Sequence, residues 1–378
     1  MKLVVISHTE HYQNSDGIIV GWGPTISELN HLLAIFEEIT HVAMLHKGTP
    51  PPSSLPYVSS KIKFIALPAL GGTSLLSKLK IILNAPKVIS IVSKAIKQSD
   101  VFQLRTPTGI GVFLIPYLTW FVKTKGWYKY AGNWNQENPP AGYRLQRFIL
   151  KRQSRTVTIN GKWINQPKQC LTFENPCLTI HDFEKGEQIV IEKNYKAPWS
   201  FCFVGRLEKA KGVERIINAF SSLTDVEKKQ ISQIDFVGDG IETEYFKSIA
   251  LKSGVKMNFH GFLPRAKVFE LYKKTHFFLL PSTASEGFPK VIAEAMNFGC
   301  IPIVSSVSSI GQYINDKNGF ICNPTTSEKL KEIVLEIISS NEDWLLKKAN
   351  KGSDVSTLFT FENYNKRIVK EIIPKTYI

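Results

Sequence analysis

Short β-branched and aromatic runs alternate with segments of helical periodicity along this whole chain, and that alternation demands parallel sheets with helices packed on their faces. Residues 2–8 (KLVVISH) predict a strand. A glycine-containing stretch follows, and then 25–38, where Ile26, Leu29, Leu32, Leu33 and Phe36 recur on one helix face. Further strands are expected at 41–45, 62–66, 101–104, 128–131 and 156–160, the last closing the first half. Helices are expected at 74–97, with a break at Pro86, at 111–123 and at 144–153.

Residues 184–198 (EKGEQIVIEKNYKAP) are polar and read as an interdomain linker. A second alternating series then begins, with strands expected at 200–204, 233–237, 255–260, 277–281 and 301–305 and a helix at 213–221. The sequence therefore divides into an N-terminal domain, 1–183, a linker, 184–198, and a C-terminal domain, 199–360. Residues 361–378 are expected to form a helix returning to the N-terminal domain. The fold class is α/β, two Rossmann-like α/β/α domains.

With 378 residues, 43% of them hydrophobic, such a chain has ample core and needs no staple. Its five cysteines include no Cys-x-x-Cys pair and no accompanying histidine cluster, so reduced thiols in a cytoplasmic protein are expected, without a metal. The apolar run before His8 and Glu10 is too short for a secretory signal. The longest apolar run, 110–122, falls short of the roughly 20 residues of a membrane span.

Charge is unevenly spread. Residues 61–168 hold eighteen Lys and Arg against two acids, Asp100 and Glu137, whereas from Gly186 onward the two signs nearly balance, 26 to 22. The first half should meet an anionic partner. Within 74–98, Leu75, Leu76, Leu79, Ile82 and Leu83 interleave with Lys78 and Lys80, a pattern suited to an anionic membrane surface, so peripheral attachment is expected. A nucleic-acid partner is not expected, since no RNA-binding aromatic signature, zinc spacing or helix-turn-helix pattern accompanies the charge.

Ligands of open parallel sheets bind at the carboxyl ends of the strands. Three segments of the second half fall there. Gly205 allows close approach of the chain, while Arg206 and Lys211 supply the two cations that a diphosphate requires. Gly238 ends a second strand. In 285–294 (SEGFPKVIAE), Glu286 lies in a loop and Glu294 on a helix opened by Pro289, which separates the carboxylates by on the order of 10 Å, about the reach from a ribose to the sugar of a nucleotide-sugar. The blander alternative is a helix-end charge and a solvated face.

Gly-Arg-Leu-x4-Gly at 205–212, Gly-Asp-Gly at 238–240, Gly-Phe-Leu at 261–263 and Glu-Gly-Phe-Pro-x4-Glu at 286–294 resemble the donor-binding half of the retaining family 4 glycosyltransferases of bacterial surface-polysaccharide type, which have the GT-B fold with two domains facing across a cleft. The resemblance implies that Arg206 and Lys211 hold the diphosphate, and that Glu286 contacts sugar hydroxyls. It further implies that the main chain of Gly287, Phe288 and Pro289 holds sugar and phosphate, that Glu294 binds the ribose, and that Phe262 and Leu263 lie beside the base. Gly23, in the sequence GWGPT, matches the family's N-terminal glycine loop. No metal or cofactor is implied, the nucleotide-sugar being a co-substrate. The acceptor would be a glycan or polyprenyl-linked sugar.

The sequence departs from the family after the fifth strand, where 130–135 (YAGNWN) carries neither the usual His nor an Asp, which leaves a general base unassigned; His8, His11 and Asp16 are weak substitutes. Two other readings therefore stand beside a transferase: a nucleotide-sugar epimerase of the same fold and a non-catalytic sugar-binding homologue.

Overall fold

A computed structural model describes residues 1–72 and 74–374. The chain divides into two α/β units, one formed by Met1–Asn175 with the segment from Phe361 onward, the other by Pro176–Thr360. The last residues of the expected C-terminal helix, 375–378, lie outside the described residues.

The first unit is built on nine strands: β1 (Lys2–Gln13), β2 (Ile19–Trp22), β3 (Glu38–Leu45), β4 (Ser54–Pro56), β5 (Ile62–Pro68), β6 (Val101–Thr106), β7 (Lys125–Tyr130), β8 (Val157–Ile159) and β9 (Cys170–Thr172). Seven of them run parallel in the order β5-β3-β1-β6-β7-β8-β9. Alternation along β1 explains its central place: Val4 and Ile6 enter one apolar layer with Val88, Val92 and Leu114, while Leu3 and Val5 enter the other with Leu29, Leu32 and Tyr364.

Three expectations change here. The stretch after residue 8 is not an open glycine loop: β1 runs on to Gln13 and pairs antiparallel with β2. Asn14 makes the turn, its Oδ1 accepting from the N–H groups of Asp16 and Ile18. Strand β8 is not the last, because β9 pairs beside it; three residues are too few to give a periodicity. The expected linker is helical over most of its length, in a helix Ile180–Glu192 that belongs to the second unit and starts at a capping box of Thr179 and Asp182.

The second unit holds β10 (Trp199–Val204), β11 (Ile231–Val237), β12 (Met257–Phe259), β13 (Phe277–Leu280), β14 (Ile301–Val304) and β15 (Phe320–Ile321), paired in the order β12-β11-β10-β13-β14-β15, all parallel. Strand order reverses at β10, so the loops after β10 and β13 open side by side at the switch point. All five cysteines are free and buried.

Buried polar groups in the first unit are paired along chains rather than singly. Glu28 accepts from Arg105 at 2.8 Å, from Lys129 at 2.6 Å and from the Tyr364 hydroxyl at 3.1 Å, which ties the C-terminal segment to the sheet. Nearby, Ser7 Oγ lies 2.8 Å from His41 Nε2, His41 Nδ1 lies 2.8 Å from Tyr57 Oη, Tyr57 Oη lies 3.0 Å from His11 Nε2, and His11 Nδ1 lies 3.0 Å from the Thr9 carbonyl. Because a carbonyl can only accept, the proton on His11 Nδ1 fixes every bond behind it: Tyr57 donates to His11, His41 to Tyr57 and Ser7 to His41.

Burial is the main reason that His11 is lowered to about 4 and His41 well below the ordinary imidazole range. His276 in the second unit is also lowered to about 4, first by burial and then by Lys193. These rings stay neutral in the folded protein but take up protons once unfolded below about pH 6.5. Stability should therefore fall as pH drops from about 6.5 toward 4, the unfolded state binding more protons throughout that window. Urea midpoints at pH 7.5 and pH 5 check this, and equal midpoints would contradict it. Glu28→Ala should cost about 3–5 kcal/mol of stability by stranding two buried cations, read from the same urea curves at neutral pH.

Candidate functional site

Main-chain bonds lace the carboxyl-end loops of the second sheet into one rim. Gly205 N–H donates to the Val237 carbonyl at 3.0 Å, Leu207 N–H to Asp239 at 3.0 Å, Gly238 N–H to Gly261 at 2.8 Å and Thr283 N–H to Ala210 at 2.8 Å. Such close approach needs glycine. At Gly238, φ is +125° and a Cβ would stand 1.9 Å from the Gly205 carbonyl oxygen; at Gly212, φ is +95° and a Cβ would stand 2.4 Å from that of Pro281. The segments singled out at 205–212, 238–240 and 261–263 are thus neighbours in space, together with the loop after β13 that leads to Glu286.

On this rim the Lys211 ammonium meets the Glu286 carboxylate in a close ion pair. The Lys211 side chain is only 9% exposed and that of Glu286 37%. A charge so far removed from water acts on its surroundings through a low dielectric. The helix Lys290–Asn297 starts beyond Glu286 with Pro289 as its cap and no side-chain capping bond, so its first turn offers N–H donors to a ligand.

Glu294 projects from that helix with its side chain 15% exposed. Its nearest cation, Arg265 Nε, is 3.8 Å away, beyond hydrogen-bond reach, and among the described residues no donor hydrogen-bonds its carboxylate. Burial raises its pKa above the ordinary value, against the pull of Arg265 and Lys290. A largely sequestered carboxylate lacking donors is suited to accept from a ligand's hydroxyls.

Other expected residues fall into place differently. Phe288 turns its ring inward, stacked on Phe359 at 4.6 Å and edge-on to Tyr313 at 5.0 Å, which leaves only its main chain for a ligand beside Gly287. Phe262 is 45% exposed and Leu263 packs partly against the core. Arg206 departs from expectation: its side chain is 72% exposed and its guanidinium pairs with Glu208 at 2.9 Å, not with the Lys211–Glu286 contact. Solvent screens a cation so placed. In the first unit Gly23 opens the helix Gly23–Leu32, but its N–H already donates to the Ser53 carbonyl at 3.1 Å, so it offers no free main-chain donor. Glycine is needed there because a Cβ would stand 2.6 Å from that same oxygen.

Two arginines escaped the sequence reading. Arg215 donates to the carbonyls of Lys209 at 3.3 Å and Pro281 at 3.0 Å and to the Thr283 hydroxyl at 3.2 Å, clamping the turn that carries Lys211 onto the loop after β13. Its position in the first turn of the helix Val213–Ser221, which opens directly after Lys211 and Gly212, was the available signal. Arg265 holds Asp182 at 3.0 Å and stands beside Glu294.

The first unit has its own cavity of about 600 Å³ at the carboxyl ends of β1 and β6, with Ser7, His8, Thr25, Arg105 and Gly132 on its wall. Burial lowers the His8 pKa, and its Nε2 bonds the Leu70 carbonyl. Asp16 lies in the β1–β2 turn.

Residues 184–351 match the family described as Glycosyl transferases group 1. An uncharacterized glycosyltransferase of Methanocaldococcus jannaschii is 30% identical over 191 residues, 49% of this chain and 47% of that protein. The capsular polysaccharide biosynthesis glycosyltransferase CapH of Staphylococcus aureus is 32% identical over 138 residues, 34% of this chain and 37% of CapH. The chain thus spans about half, or less, of these relatives' length. Over the whole fold it resembles the Anabaena protein HepE, solved in complex with UDP, with a TM-score of 0.69 at 17% identity and coverage of 99% and 100%. The chain therefore has a two-domain α/β GT-B fold, and its residues 184–351 are similar to the glycosyl transferases group 1 family.

Proposed function

We propose that this protein is a retaining, metal-independent glycosyltransferase that moves a sugar from a nucleoside-diphosphate sugar to a glycan or lipid-linked acceptor in bacterial polysaccharide or glycoconjugate synthesis. The observation that carries the reading is the buried Lys211 ammonium in contact with Glu286 on the glycine-laced rim. HepE, a structural neighbour, was solved with UDP, and CapH is named for capsular polysaccharide synthesis, which supports both donor class and pathway type.

An arriving diphosphate takes Lys211 from Glu286. The freed carboxylate then accepts from sugar hydroxyls, so one contact serves both halves of the donor. Glu294 takes the ribose hydroxyls, for which its carboxylate has open acceptor sites. In the reaction the bond from the anomeric carbon to the diphosphate oxygen breaks and its electron pair leaves with the phosphate. The acceptor oxygen bonds that carbon on the same face, and its proton passes to the departing phosphate oxygen. Lys211 stabilises the charge that develops there, the work a divalent metal would otherwise do. A protein base is not required, which fits a chain with no acid or histidine at 130–135.

Peripheral attachment to the cytoplasmic membrane fits the helix Leu75–Leu83. It buries Ile81 but exposes Leu75, Leu76, Leu79, Ile82 and Leu83 beside Lys78 and Lys80. No described helix is long and apolar enough to cross a membrane.

UDP-, GDP- and ADP-sugars should be compared by thermal shift; a bound donor at 100 times its Kd adds about 2.7 kcal/mol of stability. Glu294→Ala should abolish the shift produced by the preferred donor, and a retained shift would remove the ribose role. Lys211→Ala should lower kcat for transfer or donor hydrolysis by about 10²–10³. Donor isomerised without transfer or hydrolysis would instead point to an epimerase. Leu76→Glu with Leu79→Glu should reduce co-sedimentation with phosphatidylglycerol vesicles while leaving donor hydrolysis intact.

A further inference from the structure

We infer that the cavity of the first unit is an anion site: its ligand carries a phosphate or carboxylate clamped by Arg105, next to a hydroxyl received by Ser7. Calling that ligand the acceptor rests on the transferase reading; the anion site itself does not.

Arg105 ends β6 with its side chain 12% exposed, on the cavity wall. Three of its five N–H groups are committed, Nε to Gln103 at 3.1 Å, Nη1 to Thr25 at 3.3 Å and Nη2 to Glu28 at 2.8 Å. One N–H remains on each terminal nitrogen, so either can donate to an oxygen of a bound anion. Glu28 does not belong to Arg105 alone, since Lys129 shares the same carboxylate oxygen. Among the described lining residues Arg105 is the sole Lys or Arg. The one acid, Glu10, accepts from the Tyr12 hydroxyl at 2.9 Å. A guanidinium held this rigidly loses little freedom on binding, and its weak exposure to water strengthens the contact.

Ser7 supplies the second point of recognition. Its proton is directed to His41 by the one-way chain that ends at the Thr9 carbonyl, and Thr9 N–H donates to its oxygen at 3.2 Å. The remaining lone pair can only accept, so the site selects a ligand hydroxyl near the anion rather than a second oxyanion. With His41 held well below the imidazole range, the chain orients Ser7 and does not take up a proton at neutral pH. A cavity of about 600 Å³ has room for a sugar phosphate, a uronic acid or the head of a lipid-linked phosphate.

Titration calorimetry in a Lys211→Ala background removes the other candidate phosphate site. Glucose 6-phosphate and glucuronate should each bind at least tenfold tighter than glucose, and farnesyl phosphate at least tenfold tighter than farnesol in the same detergent micelle. The arm that binds tightest identifies the source of the anion. Arg105→Lys, which keeps the charge but breaks the fork, should lose that preference, and Ser7→Ala should weaken glucose 6-phosphate while leaving inorganic phosphate unchanged. As a check on unsubstituted protein, glucose 6-phosphate but not glucose should shield Arg105 from phenylglyoxal. Equal affinity for anionic and neutral partners, or a preference that survives Arg105→Lys, would overturn the inference. Donor hydrolysis by unsubstituted protein, measured separately, tests the transferase reading without bearing on this one.

Discussion

A lysine ammonium almost out of contact with water needs an anion beside it, and that requirement organises the second unit. Desolvating such a charge costs several kcal/mol unless it is matched. Lys211 is matched by Glu286, which brings the turn after β10 against the loop after β13. The approach is sterically possible because Gly212 and Gly238 carry no Cβ where carbonyl oxygens of neighbouring loops intrude. Arg215 then locks the same two segments from the helix side.

Arg206 illustrates why residue type alone does not identify a site. Arg206 and Lys211 are both cations after one strand, and the sequence treats them alike. Exposure separates them: one guanidinium lies in solvent on Glu208, while the other cation is enclosed. An exposed charge is screened over about 8–10 Å at ordinary salt, whereas an enclosed one is not, and Lys211 accordingly carries the electrostatic argument.

Much of the fold was legible because alternation of strand and helix is a strong periodic signal. The strands β3, β5, β10, β11, β13 and β14 were readable to within a few residues from β-branched and aromatic runs, as was the start of β1. What escaped was either too short or of the wrong polarity. Strand β9, Cys170–Thr172, is as short as β8 but lacks its unbroken β-branched run, and β15 has only two residues. The helix Ile180–Glu192 looked like a linker because its exposed face is charged, although Thr179 and Asp182 already spelled a helix start. In the candidate site, spacing placed Glu286, Gly238 and Lys211 together, since loops at the switch point of one sheet must be neighbours. It could not show that the Gly23 N–H would be taken by Ser53, because that bond depends on where a separate strand, β4, comes to lie.

The polar interior of the first unit marks the limit of what local pattern can reveal. Glu28 and Tyr364 are 336 residues apart yet share a hydrogen bond, and Lys129 bonds both. No periodicity links such positions; only the return of the chain from Phe361 onward onto the first sheet brings them together. The consequence reaches the cavity, because the carboxylate that Tyr364 and Lys129 hold in place is also the one that fixes Arg105. The end of the chain thus orients a side chain on the wall of a pocket built from its beginning, and the first unit is complete only with both.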